Sequence, residues 1–399
     1  MSLNNTPSGE RLHIGFFGMR NAGKSSVVNA VTNQELSVVS DVLGTTTDPV
    51  KKAMELLPLG PVVIIDTPGL DDEGTLGEMR VQKAKEVLAK TDVAILVVDA
   101  TKGKSELDEE LLSIFRERKL PHIVVYNKID LISEKSEIKE NEIYVSATAK
   151  KNIDELKELI AKVAKLSKTQ KPLVSDLLSE GDLVVLVIPI DEAAPKGRLI
   201  LPQQMVIRDI LDHHCMCVCT QVEELKSTLD SLSKKPKLVI TDSQAFGKVA
   251  QLTPSDITMT SFSILMARYK GDLRTLINGA SQLSKIKDGD KILIAEGCTH
   301  HRQCNDIGTV KMPKWIEDFT NAKPDYTFTS GGTFPDDLSE FKLIVHCGGC
   351  MLNEKEMKSR MQKANEKSVP IVNYGVAIAH MHGILKRSLA PFPDIQKLL

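Results

Sequence analysis

The sequence predicts an α/β architecture of several domains, and three observations lead to this prediction. Short apolar runs alternate with amphipathic stretches along the chain, as expected of strands and helices that pack in layers. A glycine-rich loop of the phosphate-binding type separates the first apolar run from the first helical stretch. Two later apolar runs stop directly before cysteine and histidine residues. At 399 residues the chain is long enough for two or three domains of roughly 150 residues each.

Composition excludes several classes of protein. Lys and Arg number 51 against 53 Asp and Glu, a formal net charge of -2, and neither sign forms a long block, so we expect no nucleic-acid partner. The N-terminus lacks a signal pattern and no apolar run approaches about 20 residues, so we expect a cytoplasmic protein without membrane contact. Seven cysteines in such a chain indicate thiols or metal ligands rather than a disulfide framework.

The first domain is predicted to open with a strand over 11–17, a G-x-x-x-x-G-K-S loop over 18–25 and a helix over 25–31. This is the phosphate loop in its required strand, loop and helix context. Lys24 is expected to reach the terminal phosphates, and Ser25 to offer its hydroxyl to Mg²⁺. The nucleotide-binding residues predicted here are Gly18, Asn21, Ala22, Gly23, Lys24, Ser25 and Ser26.

Two further motifs resemble the guanine-specificity motifs of the translation-factor-like GTPases. Asn127-Lys128-Ile129-Asp130 follows a predicted strand over 122–126, and Ser146-Ala147-Thr148 follows one over 142–145. The resemblance implies that the Asp130 carboxylate accepts from guanine N–H groups, so GTP is expected rather than ATP. The residues implied to bind the nucleotide are Asn127, Lys128, Asp130, Ser146 and Ala147.

Two segments resemble the switches of the same superfamily. One is Asp66-Thr67-Pro68-Gly69, at the end of a predicted strand over 62–65, and the other is 44–48, Gly-Thr-Thr-Thr-Asp. We expect Ser25, Thr46 and Asp66 to hold Mg²⁺, and the catalytic set to be Lys24, Thr46, Asp66 and Gly69. Leu70 stands where small Ras-like GTPases place the glutamine that orients the attacking water, so water must be positioned from elsewhere.

Asn21, taken with the 44–48 switch, resembles the potassium-dependent GTPases related to the tRNA-modifying MnmE proteins, of the TrmE/Era-like superfamily. In those proteins an equivalent asparagine helps to hold K⁺ beside the phosphates. The resemblance implies slow GTP hydrolysis that is faster in potassium than in sodium. The alternative interpretation is that Asn21 is an ordinary loop residue.

A helix over 154–166 is predicted to close the first domain, and a polar linker follows over 167–172. Alternating strand-like and helix-like pieces from 182 to 251 predict a small α/β domain without a catalytic motif, acting as a spacer or a self-association surface. Cys215, Cys217 and Cys219 would share one face of a strand, too extended for one compact metal site. We interpret them as small apolar side chains of a buried strand.

The cysteine motifs near the end of the chain both follow predicted strands. Cys298-Thr299-His300 comes after 291–296, and His346-Cys347-Gly348-Gly349-Cys350 comes after 341–345. If the strands are parallel, both groups lie in the crevice at their carboxyl ends. Thiolate and imidazole in this pattern suit either zinc or an iron-sulfur cluster. Gly348 and Gly349 would let N–H groups approach the sulfurs, and a helix predicted over 351–365 would add the positive end of its dipole.

The chain resembles the FeFe-hydrogenase maturation GTPase (HydF) family over essentially its whole length. The resemblance lies in the combination of the GTPase motifs, a middle domain without a catalytic motif, and the paired cysteine motifs. The fold class implied is α/β, an N-terminal P-loop GTPase domain followed by two smaller α/β domains, the last carrying an iron-sulfur cluster. The implied boundaries are 1–168 for the GTPase domain, 175–262 for dimerisation and 263–399 for cluster binding. By resemblance, Cys298, Cys347 and Cys350 hold a 4Fe-4S cluster. Candidates for the fourth ligand are His300 and His346, with Glu296, Cys304 and Asp306 less favoured.

The same resemblance implies a scaffold and carrier that uses GTP, Mg²⁺ and K⁺ and transiently binds a diiron precursor of the hydrogenase active site. Its implied partners are apo FeFe-hydrogenase, the radical-SAM maturases HydE and HydG, and further copies of the chain as a homodimer or tetramer. An alternative is a zinc-stabilised, potassium-dependent GTPase in translation or tRNA modification, against which the lack of a basic patch argues. A second alternative is an iron-sulfur enzyme that uses GTP as substrate. We find no second set of catalytic residues in the sequence that would support it.

Overall fold

The computed structural model describes residues 6–34, 50–67, 86–133, 137–167, 171–190, 199–297 and 306–399. The predicted site residues Thr46, Gly69, Cys298 and His300 lie outside these ranges, as do Leu70 and Cys304. The chain divides into two compact units, Met1–Gln170 and Lys171–Leu399. Within the described ranges, no helix is both long and apolar enough to span a membrane.

A six-stranded sheet of order β2-β3-β1-β4-β5-β6 forms the centre of the N-terminal unit. β2 runs antiparallel to β3, and the remaining neighbours are parallel. The strands are β1 (Leu12–Phe17), β2 (Val50–Leu56), β3 (Gly60–Asp66), β4 (Val93–Asp99), β5 (His122–Asn127) and β6 (Glu142–Tyr144). The helices are α1 (Lys24–Thr32), α2 (Glu106–Glu117) and α3 (Ile153–Ser167), with 3-10 turns at Ser8–Glu10 and Ile129–Leu131.

Apolar side chains cover both faces of this sheet. Phe16 and Ile95 pack with α1 and α3 on one face, and Phe17 and Leu96 pack with α2 on the other. Strands buried on both faces read as continuous apolar runs, which explains the sequences of β1 and β4. The predicted strands and helices of this unit are present with small shifts at their ends, whereas β2, β4 and α2 were not predicted.

The second unit contains two four-stranded sheets of identical topology. Their orders are β10-β9-β7-β8 and β12-β11-β13-β14, and all pairs are parallel. In each sheet the first strand along the chain lies between the second and the third, and the fourth lies beyond the third. The first strand is β7 in one sheet and β11 in the other. Each sheet therefore has a topological switch point between its first and third strands, where open α/β folds bind ligands.

The strands of the second unit are β7 (Leu183–Val187), β8 (Met216–Thr220), β9 (Leu238–Thr241), β10 (Thr258–Ser261), β11 (Lys291–Ala295), β12 (Asp325–Thr329), β13 (Leu343–His346) and β14 (Ile371–Asn373). The helices are α4 (Leu201–Asp212), α5 (Leu225–Ser231), α6 (Phe246–Leu252), α7 (Phe262–Lys270), α8 (Leu273–Ala280), α9 (Met312–Thr320), α10 (Glu354–Glu366), α11 (Tyr374–Met381), α12 (Leu385–Ser388) and α13 (Pro393–Gln396). Short 3-10 turns lie at Ser175–Leu177 and Leu283–Lys285, and a π-helical segment at Ile307–Lys311.

One hydrophobic core joins the two sheets of the second unit. It includes Ile240 from β9, Leu265 from α7 and Ile344 from β13. Helix α7 follows β10 directly, and the Ser261 hydroxyl caps it by accepting from the Ile264 N–H at 3.2 Å. The domain boundary predicted at 262/263 falls at the start of this helix, and a division into separate domains there stays a prediction.

The interpretation of the Cys215 to Cys219 segment as a buried strand is wrong in part. β8 is an edge strand that pairs with β7 on one side. Cys215 precedes the strand and is buried, whereas Cys217 is half-buried and Cys219 is exposed. Desolvation raises the pKa of the Cys217 and Cys219 thiols. An apolar run cannot distinguish an edge strand from a central one, because both have the same composition.

Candidate functional site

β1 and α1 hold the phosphate loop of the N-terminal unit. Gly18 has φ +138° and Gly23 has φ +86°, a region that favours glycine. A Cβ at Gly18 would lie 2.2 Å from the Val97 carbonyl oxygen, and one at Gly23 would lie 2.3 Å from Asn127 Nδ2. Both glycines therefore permit a close approach of the loop to neighbouring strands, which sets the loop in place before the N-terminus of α1.

Lys24 and Ser25 occupy the positions expected for phosphate and metal binding. Lys24 is buried, and its Nζ donates to the carbonyl oxygens of Gly18 and Met19, both at 3.0 Å. Ser25 Oγ donates to Asp66 Oδ2 at 2.9 Å. Two of the three predicted magnesium ligands are thus adjacent at the end of the phosphate loop. A hydroxyl and a carboxylate are the hard oxygen donors that Mg²⁺ prefers, so these residues fit that ion.

Asn127, the last residue of β5, connects two loops of the predicted nucleotide site. Its Nδ2 donates to the Ala22 carbonyl oxygen at 3.1 Å, and its Oδ1 accepts from the Ala147 N–H at 3.1 Å. The side chain is buried and braces the phosphate loop against the segment that follows β6. Its direct contact with the nucleotide stays a prediction.

Asp99, the last residue of β4, is a part of this site that the sequence analysis missed. Lys128 has φ +68°, and its Nζ donates to Asp99 Oδ2 at 2.6 Å and to the Asn21 carbonyl oxygen at 2.8 Å. Burial acts to raise the pKa of Asp99, but hydrogen bonds from Lys128 and Thr101 and the charge of Lys128 outweigh it and lower that pKa. The available signal was the position of Asp99 at the carboxyl end of an apolar run.

The other predicted nucleotide-binding residues lie at the same edge of the sheet. Asp130 is exposed in the turn Ile129–Leu131. Ser146 is fully buried, and its Oγ accepts from the Ala149 N–H at 3.0 Å. Asn21 is exposed with φ +60°. Because β1, β5 and β6 are parallel in the sheet, their carboxyl ends bring these segments and the phosphate loop together.

In the second unit, β11 and β13 bring Gly297, the residue before the first cysteine motif, and Cys347 of the second motif to one switch point. The strands are parallel neighbours, with Ala295 opposite His346. Gly297 N–H donates to Cys347 Sγ at 3.0 Å, and Gly349 N–H lies 3.4 Å from the same sulfur. The residue directly before Cys298 therefore contacts Cys347. The predicted approach of N–H groups to a sulfur is confirmed for Gly349.

Lys270 lies beneath the loop that carries Cys347 and Cys350. It is 2% exposed, and its Nζ donates to the carbonyl oxygens of Leu352 at 2.7 Å, Cys350 at 3.0 Å and Gly349 at 3.4 Å. Burial raises the pKa of the Cys350 thiol, and the charge of Lys270 opposes that rise. The sequence analysis missed this lysine because nothing local marks it as internal.

His346 has partners on both ring nitrogens. Its Nδ1 lies 2.8 Å from the Cys347 carbonyl oxygen, and its Nε2 lies 3.1 Å from Arg360 Nη1. Arginine can only donate, so Nε2 is the acceptor and Nδ1 carries the proton. Arg360 is also buried and donates to Glu356 Oε1 at 3.0 Å. In this arrangement, neither nitrogen of His346 has a lone pair directed at a metal.

The helix after Cys350 begins later than predicted. α10 starts at Glu354 rather than at 351, because Asn353 Oδ1 accepts from the Glu356 N–H at 2.9 Å and caps it. The first turn also carries the acidic side chains of Glu354 and Glu356. The predicted start of this helix at 351 is therefore wrong, whereas the effect of its dipole on the sulfurs stays a prediction.

Glu296, a less favoured ligand candidate, is buried at the end of β11. Tyr374 OH donates to Glu296 Oε1 at 3.4 Å. Burial raises the pKa of Tyr374, and the nearby charge of Glu296 adds to the rise, so the phenol stays protonated and able to donate. Asp306 caps the π-helical segment by accepting from the Thr309 N–H at 2.9 Å.

The described part of this switch point fits a thiolate-bound cluster. Among the residues within the described ranges, no three Cys, His, Asp or Glu side chains converge on one metal position, and Cys298 and His300 lie outside those ranges. The described residues supply a sulfur that accepts N–H groups and a buried cation near it. Hydrogen bonds to sulfur and nearby positive charge are the features that stabilise an anionic iron-sulfur cluster.

Comparison with known protein families gives matches along most of the chain. Residues 13–128 match the 50S ribosome-binding GTPase family. Residues 173–271 match the hydrogen maturase F dimerization domain, and residues 274–391 match the hydrogen maturase F tetramerization domain. The N-terminal unit is therefore a GTPase domain, whose chemistry is GTP hydrolysis.

Individual relatives match the GTPase domain. The tRNA modification GTPase MnmE of Laribacter hongkongensis is 33% identical over 156 residues, 38% of this chain and 34% of that protein. GTPase Der of Wolinella succinogenes is 36% identical over 168 residues, 38% of this chain and 36% of that protein. This chain thus spans about a third of the length of these curated relatives. The structure of an Aquifex aeolicus Era variant bound to GDP.AlF4- is 20% identical, with a TM-score of 0.35, and the match covers 60% of this chain and 97% of that one.

The two hydrogen maturase matches are consecutive and follow the GTPase domain, in the order that the sequence analysis expected. They cover both four-stranded sheets of the second unit, including the cysteine motifs. The chain belongs to the hydrogen maturase F family, the GTPases of hydrogenase maturation.

Proposed function

We propose that this protein is a GTPase scaffold that binds a 4Fe-4S cluster and delivers the diiron precursor of the active site to apo FeFe-hydrogenase. The observation that carries the proposal is the contact of Gly297 N–H with Cys347 Sγ at 3.0 Å. This contact joins the residue before Cys298 to the second cysteine motif, at a switch point of the sheet. Membership of the hydrogen maturase F family supports the same assignment.

The proposed cluster ligands are Cys298, Cys347 and Cys350. When bound, the cluster would supply an iron site with a replaceable fourth ligand at which cargo can attach. The chain's own contribution is to hold Cys347 Sγ through the Gly297 and Gly349 N–H groups. Because both nitrogens of His346 are hydrogen-bonded, we favour His300 as the fourth ligand.

A replaceable fourth ligand can be tested by spectroscopy. Imidazole or cyanide added to the reduced cluster should change its EPR spectrum if one iron site is open to exchange. A spectrum that does not respond to either ligand would indicate four protein ligands that stay bound.

For the nucleotide site, we propose Mg²⁺ binding by Ser25, Thr46 and Asp66, K⁺ binding by Asn21, and slow hydrolysis with Lys24 on the phosphates. The adjacency of Ser25 and Asp66 and the exposure of Asn21 beside the phosphate loop support these roles. Hydrolysis should be faster in KCl than in NaCl at equal ionic strength, and Asn21→Ala should remove the difference. Equal rates for the wild-type protein in the two salts would contradict the potassium site.

GTP binding is proposed to modulate encounters with HydE, HydG and apo-hydrogenase through the 44–48 and 66–70 switches. A switch can act only if the two nucleotide states make different contacts. The middle segment is proposed to form a homodimer and the last segment a tetramer, in line with the names of the two family domains. Light scattering of the full chain at several concentrations measures the assembly.

The decisive experiment starts with anaerobic iron and sulfide reconstitution of the full chain. A brown protein supports a cluster, whereas a colourless protein that retains zinc supports the alternative of a zinc-stabilised GTPase in translation or tRNA modification. The cargo-loaded protein is then added to apo-hydrogenase, and hydrogen evolution is measured. Cys298→Ala should abolish activation, and the exposed Cys219→Ala serves as the matched control.

The Lys24→Ala variant separates the proposed role of the nucleotide from the proposed transfer of cargo. Activation by Lys24→Ala protein at the wild-type level would make the nucleotide dispensable for final transfer. Failure of the loaded wild-type protein to activate apo-hydrogenase would remove the carrier function while leaving the cluster and the GTPase domain intact.

A further inference from the structure

Lys270 is an internal cation that donates to three carbonyl oxygens of one loop. Its Nζ contacts the carbonyl oxygens of Gly349, Cys350 and Leu352 at 3.4, 3.0 and 2.7 Å. An ammonium group is costly to bury unless its donors are paired. The position of Lys270 as the last residue of α7 adds the favourable negative end of the helix dipole. The lysine and the loop therefore stabilise each other.

Two of the carbonyl groups that Lys270 holds belong to consecutive peptides of the loop that carries Cys347 and Cys350. In a planar trans peptide, the C=O of one residue and the N–H of the next point in opposite directions. With the Gly349 and Cys350 carbonyls turned to Lys270, the N–H groups of Cys350 and Met351 point away from the ammonium. Lys270 thus fixes the orientation of these two peptides in the loop that carries Cys347 and Cys350.

The same loop places an N–H group near Cys347 Sγ. Gly349 N–H lies 3.4 Å from Cys347 Sγ, and Gly349 has φ +62°. Lys270 lines a small pocket together with Cys347, Gly348 and the apolar side chains of Met266 and Met357. These apolar neighbours keep water scarce there, which strengthens the effect of a charge.

We propose that Lys270 is a positioning residue for the 347–352 loop, which holds the loop backbone in place beside the cysteine sulfurs and raises the reduction potential of the 4Fe-4S cluster by its positive charge. The inference rests on the proposed cluster at Cys298, Cys347 and Cys350. Reduction adds one negative charge to the cluster, so a nearby cation and N–H donors to sulfur both favour the reduced form.

The test compares Lys270→Met with wild type in the full-length, reconstituted protein. Methionine keeps most of the length and the apolar packing of the side chain but removes the charge and the donors. In an EPR-monitored redox titration, the midpoint potential of the variant should shift to a more negative value. Its cluster should also lose iron to a chelator several-fold faster. Lys285→Met, at an exposed lysine of the same unit, should leave both measurements unchanged.

A merely structural lysine would give a different result. Lys270→Met would then lower the melting temperature and the iron content, but the remaining cluster would keep the wild-type potential, and this outcome overturns the proposal. If Lys270→Met does not fold, Lys270→Arg and Lys270→Gln are compared, and equal potentials for these two variants overturn it as well. Wild-type protein that takes up no cluster would overturn the proposed function, whereas a wild-type cluster with an unmoved potential in Lys270→Met overturns this inference alone.

Discussion

Arg360 Nη1 donates to His346 Nε2 at 3.1 Å, in the interior of the second unit. The same imidazole also contacts the cysteine loop, because its Nδ1 donates to the Cys347 carbonyl oxygen at 2.8 Å. Helix α10 is thereby connected to the first residue of the Cys347 to Cys350 loop. A motif histidine beside a cysteine therefore acts here as a link between a helix and a loop.

His346→Ala should leave the ligands of the proposed cluster unchanged while destabilising the fold. The free energy of unfolding should fall by about 2 to 4 kcal/mol, because Arg360 loses a partner inside the protein. Pulsed EPR of the reduced cluster should show the same nitrogen couplings in wild type and variant. Loss of a strong nitrogen coupling in His346→Ala, with its retention in Arg360→Met, would identify His346 as a ligand and contradict this prediction.

Asn127→Ala should weaken guanine nucleotide binding by removing the brace between two loops. Two buried hydrogen bonds, each contributing about 1 kcal/mol, are lost, so the Kd for GDP should rise at least about tenfold. Isothermal titration calorimetry measures the change. Asn141→Ala is the matched control, because Asn141 Nδ2 donates to the His122 carbonyl oxygen without touching the phosphate loop. Equal effects of the two variants would show that the loss is general rather than specific to the brace.

Asp99 should make the stability of the chain depend on pH in the acidic range. Its native pKa is lowered, so the unfolded chain binds this proton first. Its contribution to stability is complete above the unfolded value of about 3.9 and is lost as pH falls through the lower native pKa. Urea unfolding at several pH values should show wild type losing more stability than Asp99→Asn over this range. Parallel curves for the two proteins would contradict the role of the Asp99 and Lys128 pair.

Gly279→Ala should destabilise the second unit, although alanine favours helices. A Cβ at Gly279 would lie 2.0 Å from the Ile371 carbonyl oxygen, so α8 would have to move away from β14. We expect a loss of about 1 to 3 kcal/mol from this overpacking. Gly247→Ala in α6 has open space around the added methyl and should be stabilised by about 0.5 to 1 kcal/mol. Thermal melting distinguishes them, and shifts of the same sign would refute the steric argument.

Local sequence patterns were sufficient to predict much of the fold and part of each candidate site. The phosphate loop could be predicted because its glycines, lysine and serine lie in one short segment between a strand and a helix. The approach of Gly297 to Cys347 could be predicted because parallel strands such as β11 and β13 end at one edge. The late start of α10 was also open to prediction, since Asn353 followed by Glu356 is a capping pattern.

The remaining residues could not be predicted because their roles depend on contacts distant in sequence. Lys270 has the appearance of an ordinary basic residue at a helix C-terminus, and Arg360 that of an exposed charge on a polar helix. Their burial follows from packing against β13 and its loop, which no local pattern encodes. The exposure of the β8 cysteines could not be predicted for the same reason, because the position of a strand at a sheet edge depends on the order of the strands rather than on composition.

Helix α7 also limits how the chain can be dissected or exchanged. It lies within the 173–271 segment by family match, yet it ends in Lys270, whose acceptors lie in the 274–391 segment. A fragment that starts at residue 272 would keep both cysteine motifs but leave three loop carbonyls without their cation. A chimera that joins the last segment of one relative to the middle segment of another would need to carry residues 262–270 along with the cysteines. The segment that has to be kept together is thus longer than the one that contains the proposed cysteine ligands.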